Sequence, residues 1–193
     1  MTKTNAQTLP LIGIAGKARS GKDTLANSLE VRGYYRYRFA TPLKKFAALL
    51  LEKTPSQIES MDYAEPQAAL GGKTLREFLQ LLGTDFGRDM IWQDIWVHQM
   101  QRGYEYLLSR VEDFSVVGVV VTDVRFENEA QWIRAQGGLL VHITRDDAGP
   151  VNPHKSESGV SFAEGDIAVV NDGSLEDLAI VASKLTGKHR QVA

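Results

Sequence analysis

The sequence predicts an α/β fold, a mostly parallel five-stranded sheet flanked by helices, with a helical insertion and a lid. Three observations predict it. Strand-like runs alternate with helix-periodic runs along the chain, the pattern of a doubly wound sheet. "SVVGVVVTD" at 115–123 is almost continuously β-branched, the composition of a strand buried on both faces of a parallel sheet. The first strand also runs straight into a glycine-rich turn and a helix, "GIAGKARSGKDTLANSL" at 13–29.

Each element has its own local reason. "LIGIA" at 11–15 is a short apolar run, and the segment after the turn carries Leu25, Leu29 and Val31 at helical spacing. "YYRYRFA" alternates, with Tyr35, Tyr37 and Phe39 on one face and Arg36 and Arg38 on the other, as a second strand would. "TPLKKFAALLLEK" starts a helix with Thr41 as N-cap and Pro42 at the first helical position. Pro55, Pro66 and "GGK" break residues 54–72 into loops and short helical pieces. "TLREFLQLLG" follows with Leu75, Phe78, Leu79 and Leu82 as its apolar stripe, and Gly83 suggests a break. The helical stretch to Arg110 reads as broken again near Gly103.

After the third strand come a helix in "RFENEAQWIRAQGG", a fourth strand "LLVHITR" and a short fifth in "DIAVVNDG". The closing helix starts at a Ser cap, Ser174, and stops at Gly187. The reading is therefore one domain over 1–193, with its core at about 10–40 and 115–187, an insertion at about 41–112 and a lid at about 145–160.

Composition narrows the function classes. With 43% apolar residues in 193, the chain can bury a substantial core. A formal net charge of −2 supplies no global basic field for nucleic acid, so any anion site is local. The absence of cysteine excludes disulfides, thiolate metal sites and cysteine catalysis. No run approaches the ~18 apolar residues of a membrane span. The expectation is a cytoplasmic protein with neither nucleic acid nor membrane as partner.

The turn after the first strand has the spacing G-x-x-x-x-G-K. Gly16 and Gly21 let successive backbone N–H groups surround one anion at a helix start, and Lys22 reaches the outer phosphates as a point cation. Lys17 and Arg19 add cations to the loop, Arg19 being the stronger candidate for offsetting charge on a transferred phosphoryl group, while Lys17 is equally a solvated side chain. Asp23 stands where Ser or Thr normally meets magnesium. Beside a phosphate it would be repelled by about 4 kcal/mol per unit-charge pair at ~4 Å in an effective dielectric of ~20. A magnesium ion between them reverses that sign, so Asp23 is a candidate metal ligand, directly or through water. The alternative is that Asp23 satisfies the helix dipole and Thr24 serves the metal.

"VVVTDVRFENE" puts Asp123 just past a buried strand, as a second metal-organising acid, and Arg125 two residues on as a phosphate clamp. The plainer reading is a helix cap and a surface ion pair. In the insertion, Arg76, Gln80, Thr84, Arg88 and Trp92 recur every fourth residue; the arginines suit a monophosphate, and Trp92 is either a stacking platform or core. "TRDDAGPVNPHKSESG" reads as a lid in which Arg145, His154 and Lys155 could close over phosphates, and Asn171 in "NDGS" could touch a purine or simply belong to a turn.

Taken together, "GKARSGKD", "FATPLKKFA", "TLREFLQLLGTDFGRDMIWQDIWV", "TDVRFENEA" and "NDGSLEDL" resemble the deoxynucleoside monophosphate kinases of tailed bacteriophages, a branch of the P-loop kinases, over about residues 10–185. The resemblance implies a P-loop kinase fold with an NMP-binding insertion, and ATP- and Mg²⁺-dependent phosphorylation of a deoxynucleoside 5′-monophosphate for deoxynucleotide biosynthesis. By the likeness Lys22 and Arg19 fall at the donor phosphates, Arg76 and Arg88 at the acceptor pocket, and Asp123 and Arg125 at the reacting centre; with the motif reading above, the expected ATP contacts are Gly16, Lys17, Ser20, Gly21, Lys22, Asp23, Thr24, Arg145 and Asn171. Lys44, Arg76, Gln80, Thr84, Arg88, Trp92 and Arg125 fall on the acceptor, and Lys22, Arg19, Asp23, Asp123 and Arg125 at the reacting centre, with magnesium on Asp23 and Asp123. The likeness leans toward a homodimer and, for a viral protein, the host cytoplasm. Rival readings are a kinase for dephospho-coenzyme A or a phosphomevalonate-type acceptor, and a non-catalytic nucleotide- or nucleic-acid-binding module suggested by "RGYYRYRF".

Overall fold

The computed structural model describes residues 9–146 and 159–189. Its strands are β1 (Leu11–Ala15), β2 (Tyr34–Tyr37), β3 (Gly118–Val124), β4 (Leu139–Thr144) and β5 (Ile167–Val170). Its α-helices are α1 (Lys22–Glu30), α2 (Thr41–Leu50), α3 (Pro55–Ser60), α4 (Leu75–Gln80), α5 (Ile95–Ser109), α6 (Val111–Phe114), α7 (Glu127–Ala135) and α8 (Leu175–His189). The five strands form one sheet in the order β2-β3-β1-β4-β5, every neighbouring pair parallel.

β1 lies at the centre, with all its residues buried. Its period-two alternation divides it between two layers. Ile12 and Ile14 join Val120, Val141 and Ile143 against Leu25 and Leu29 of α1 and Leu178, Ala182 and Leu185 of α8. On the opposite face Gly13 lies so close to Ile133 of α7 that any Cβ there would collide with it. Burying each large side chain of this core contributes roughly 1.5–3 kcal/mol relative to exposure.

The described chain forms two compact units, one made of the residues up to Arg38 together with those from Gln101 onward, the other of Phe39–Met100. The first contains the sheet. The second has its own core of Ala47, Ala48, Ile58, Leu70 and Leu75, with Phe78 and Leu79 packed on it.

Four local expectations are corrected. Thr41 is not the cap of α2: Ala40 holds the N-cap position, without a side-chain cap bond, and Thr41 and Pro42 lie inside the helix. Gly83 does not interrupt the chain's helical course, because α4 passes directly into a π-helical segment, Leu81–Ile91. α5 runs through Gly103 unbroken, and the break comes earlier, where Trp92 turns extended at φ −166°, ψ 126°. α8 continues past Gly187 to His189. Gly83 and Gly103 answer to packing rather than termination, as does Gly87. A Cβ on Gly83 would press on Leu43, one on Gly87 would meet Trp96, and one on Gly103 would occupy the position of the Tyr37 hydroxyl. The close approach outweighs the ~1 kcal/mol that glycine costs a helix.

Candidate active site

Between β1 and α1 the chain wraps tightly. A Cβ on Gly16 would press on the Ile143 carbonyl and come within 2.8 Å of Ser20 Oγ. Gly21 has φ 101°, a left-handed value, and a side chain there would run into Asn171. Arg19 is held at φ 65°, a conformation costing a residue with a side chain ~1–3 kcal/mol. What holds it is Asn171, only 6% exposed. Its Nδ2 donates to the Ser20 carbonyl at 2.9 Å, and its own N–H donates to the Thr144 carbonyl at 2.8 Å. Ser20 is buried, and its hydroxyl has no hydrogen-bond partner.

Lys22 folds back over this loop, its Nζ donating to the carbonyls of Gly16 at 2.8 Å and Lys17 at 2.5 Å. The ammonium thus spans the loop at the place an anion would enter. Alongside opens a cavity of about 460 Å³ that combines three cations, Arg19, Lys22 and Arg145, with Leu175 and Leu178. Charged groups for phosphates and apolar surface for a base or sugar are both present.

Asp123 reaches the same edge of the sheet. Ala15 pairs with Val124, so Asp123 lies beside the residue where the phosphate loop begins. The turn after it is fixed by Glu129 of α7, a buried carboxylate that accepts the N–H groups of Arg125 at 2.7 Å and Phe126 at 3.0 Å. Nothing in the sequence analysis singled out Glu129, although its position three residues into the next helix is where a capping acid belongs.

Asp23, in the first turn of α1, faces two guanidinium groups. Its Oδ1 lies 3.5 Å from Arg36 Nη1 and 3.6 Å from Arg38 Nη2, while its side chain stays 73% exposed. Arg36 also reaches Glu30 at 2.5 Å and bonds Asn27. Arg38 donates from Nε to Thr122 Oγ1 at 3.2 Å. Alternation puts Arg36 and Arg38 on one face of a strand, and the sequence connects them only with the rival nucleic-acid reading of "RGYYRYRF". Parallel pairing with β3 places that face alongside α1.

The remaining candidates lie in the smaller unit. Thr74 caps α4, accepting the Glu77 N–H at 3.1 Å while Glu77 accepts the Thr74 N–H at 2.8 Å. That backbone bond is the chief reason the Glu77 carboxyl lies below its ordinary range. From α4 the four-residue row runs into the π-helical segment. Arg76 is exposed and Gln80 half-buried, whereas Thr84 and Arg88 are buried. Arg88 Nη1 donates to the Gln93 carbonyl at 3.0 Å, and Trp96 Nε1 donates to that of Gly83 at 2.7 Å. Trp92 is half exposed and tilts against His98 at 5.5 Å, so it is not a core residue. Lys44 is held by Glu59, 2.8 Å from each carboxylate oxygen. An apolar hollow of about 390 Å³ lined by Leu50, Leu70, Phe78 and Phe86 includes none of these acceptor candidates.

The loop residues Gly16 to Thr24, with Asp123, Arg125, Arg145 and Asn171, therefore all belong to the unit that contains the sheet. His154, Lys155 and most of the expected lid lie outside the described residues. Among the described residues, no group of three or more histidine, aspartate or glutamate side chains could hold a metal by itself. Among the described residues, no helix is long and apolar enough to cross a membrane.

A family model described as deoxynucleotide monophosphate kinase matches residues 71–181. A protein of Acanthamoeba polyphaga mimivirus, provisionally named a deoxynucleotide monophosphate kinase, is 34% identical over 178 residues, covering 86% of this chain and 91% of its own. The deoxynucleotide monophosphate kinase of Escherichia phage RB69 is 35% identical over 106 residues, 54% of this chain and 41% of the phage protein. The crystal structure of TT1252 from Thermus thermophilus superposes with a TM-score of 0.53 at 19% identity, covering 94% of this chain and 98% of that one, a likeness of fold.

Proposed function

The chain belongs to the deoxynucleotide monophosphate kinase family, and from that premise we propose that it transfers the terminal phosphoryl group of ATP to a deoxynucleoside 5′-monophosphate, with Mg²⁺. The observation that carries this reading is the phosphate loop, closed around Lys22 and bordered by a cavity that combines cations with apolar surface. Three features support a triphosphate there. Gly16 and Gly21 leave backbone room that a Cβ would fill. The loop is held in place from beneath by Asn171. Lys22 is already poised across its mouth, and its bonds to the Gly16 and Lys17 carbonyls are ones that water or phosphate can replace at little cost.

In the reaction an oxygen of the acceptor's phosphate attacks the terminal phosphorus of ATP, and the bond from that phosphorus to the bridging oxygen breaks. ADP leaves with the electron pair. A phosphate dianion is nucleophilic without a protein base, so catalysis rests on position and charge neutralisation. Lys22 and Arg19 take the donor phosphates, while Asp123 and Arg125 lie at the carboxyl edge of β3. Lys44, Arg76, Gln80, Thr84, Arg88 and Trp92 are the acceptor-side candidates. Magnesium would be held by Asp23 and Asp123, directly or through water, or with Thr24 in place of Asp23, an all-oxygen set that suits this ion. When bound it neutralises the outer phosphates.

The deciding experiment measures diphosphate formation from ATP and each of the four common deoxynucleoside monophosphates, with the ribonucleotides in parallel. Turnover of at least one deoxynucleotide is expected. No turnover of any of them would overturn the reading.

A further inference from the structure

Resting on the nucleotide-binding reading of this site, we infer that Arg38 is a further phosphate-binding residue, one that contacts the terminal phosphoryl group of the donor. β3 lies between β2 and β1. The register pairs Tyr37 with Val121, which brings Arg38, one residue on, level with Thr122 and next to Asp123. From there its guanidinium reaches over the end of β3 to Asp23, the neighbour of Lys22, at 3.6 Å. It is also anchored to Thr122 Oγ1, 3.2 Å away on β3 itself. The guanidinium thus lies across the end of β3, the strand that carries Asp123.

The neighbouring arginine makes the assignment sharper. Arg36 is a structural residue: its side chain is 13% exposed, and it is tied to Glu30 at 2.5 Å and to Asn27, both on the second and third turns of α1. Arg38 instead shares a carboxylate that is 73% exposed, over a distance longer than a close ion pair. A pair of that kind contributes about 0–1 kcal/mol, so exchanging it for phosphate oxygens costs little. A guanidinium fork gains more from a phosphate, by charge-assisted and often bidentate bonds. Asp23 then has a second role beside any part in metal binding. It holds Arg38 at the transfer point before nucleotide arrives, and the arginine offsets the repulsion that an acid beside the phosphates would otherwise exert.

The test compares nucleotides that differ by the terminal phosphoryl group. Affinities for a non-hydrolysable ATP analogue and for ADP, each with Mg²⁺, are measured by calorimetry in the unaltered protein, Arg38→Ala and Arg38→Lys. The analogue should weaken about tenfold or more in Arg38→Ala, the loss of one charge-assisted contact, while ADP stays within about twofold. Arg38→Lys keeps a cation without the fork; it should show the same selective loss at smaller size, and it carries the comparison if the alanine variant does not fold. Equal loss for both nucleotides in these variants, loss for neither, or no binding of the analogue by the unaltered protein overturns the assignment. Because no acceptor is present, the result stands apart from the deoxynucleotide assay: failure of that assay alone strikes the choice of acceptor and leaves Arg38 in place.

Discussion

At the scale of single residues, the loop depends on one side chain that the chain supplies from 151 positions away. Asn171 ties the Ser20 carbonyl and fills the space beside Gly21, so we propose that it serves phosphate binding through the loop's shape. Asn171→Ala removes the donor and leaves a buried carbonyl unsatisfied, a loss of ~1–3 kcal/mol in stability. Because the strained Arg19 backbone loses its support, KM for ATP should also rise, by about tenfold, with a smaller change in kcat. Steady-state kinetics beside urea unfolding check both; a variant that loses stability but keeps its KM would reduce Asn171 to packing. Lys22→Ala should behave in the opposite way. Its bonds to the Gly16 and Lys17 carbonyls are exposed, so the melting temperature should hardly move, while turnover falls by about 10³-fold or more through loss of charge stabilisation. Near-normal transfer by this variant would remove the loop from the mechanism.

Among the elements, a charged clip fastens the approach to β5. Asp166 has a side chain only 2% exposed, and it accepts hydrogen bonds from Arg134 Nε at 3.1 Å, Arg134 Nη2 at 2.7 Å and the Ala163 N–H at 2.9 Å, and pairs with His142 Nε2 at 2.8 Å. Arg134 also reaches Glu127 at 2.9 Å and the Ser161 carbonyl at 2.8 Å, which joins α7, β4 and the residues before β5. Burial alone would raise the Asp166 carboxyl; the bonds from Arg134, Ala163 and His142 outweigh it and lower the group from 3.8 to about 2. A depressed carboxylate stabilises the fold above its unfolded pKa, and that contribution disappears as pH falls through the folded value. It amounts to ~2 kcal/mol at neutral pH, with about half gone by pH ~3. Asp166→Asn should therefore be less stable than the unaltered protein at pH 7, with the gap closing below pH ~4, as followed by urea unfolding across that range. A gap independent of pH would mean that packing, not charge, holds the clip.

The same scale explains what could be read from the sequence. β1, the phosphate turn and the five-strand order of elements were legible because each is dictated locally, by apolar runs, alternation and glycines that no other residue replaces. Gly83 and Gly103 were misleading because their reason is tertiary: Leu43 and Tyr37 need the space, and neither neighbour is visible in a local window. The π-helical course from Leu81 to Ile91 was equally hidden, since its widened turns answer to contacts such as Trp96 Nε1 on the Gly83 carbonyl. Alternation sets Arg38 on the same face as Arg36, but only the register of β2 with β3 brings it level with Thr122.

At the scale of the whole molecule, two units each have their own hydrophobic core, and the residues proposed for the donor side all belong to the one that carries the sheet. Ligands should therefore stabilise the molecule unevenly. A ligand that binds only the folded state stabilises it by ~2.7 kcal/mol at a hundred times its dissociation constant, and that energy is felt by whatever must open to release it. With MgATP alone, amide hydrogen exchange should slow along 16–24 and 171–178, the phosphate loop and the start of α8. α3 and the short helical turn Ala68–Leu70 have their own core around Ile58 and Leu70, so they should exchange as before. A deoxynucleoside monophosphate added next should slow exchange around Arg76 to Arg88. Protection spread evenly over both units by MgATP alone would show that they open as a single cooperative body, and the division of labour between donor and acceptor sides would have to be abandoned.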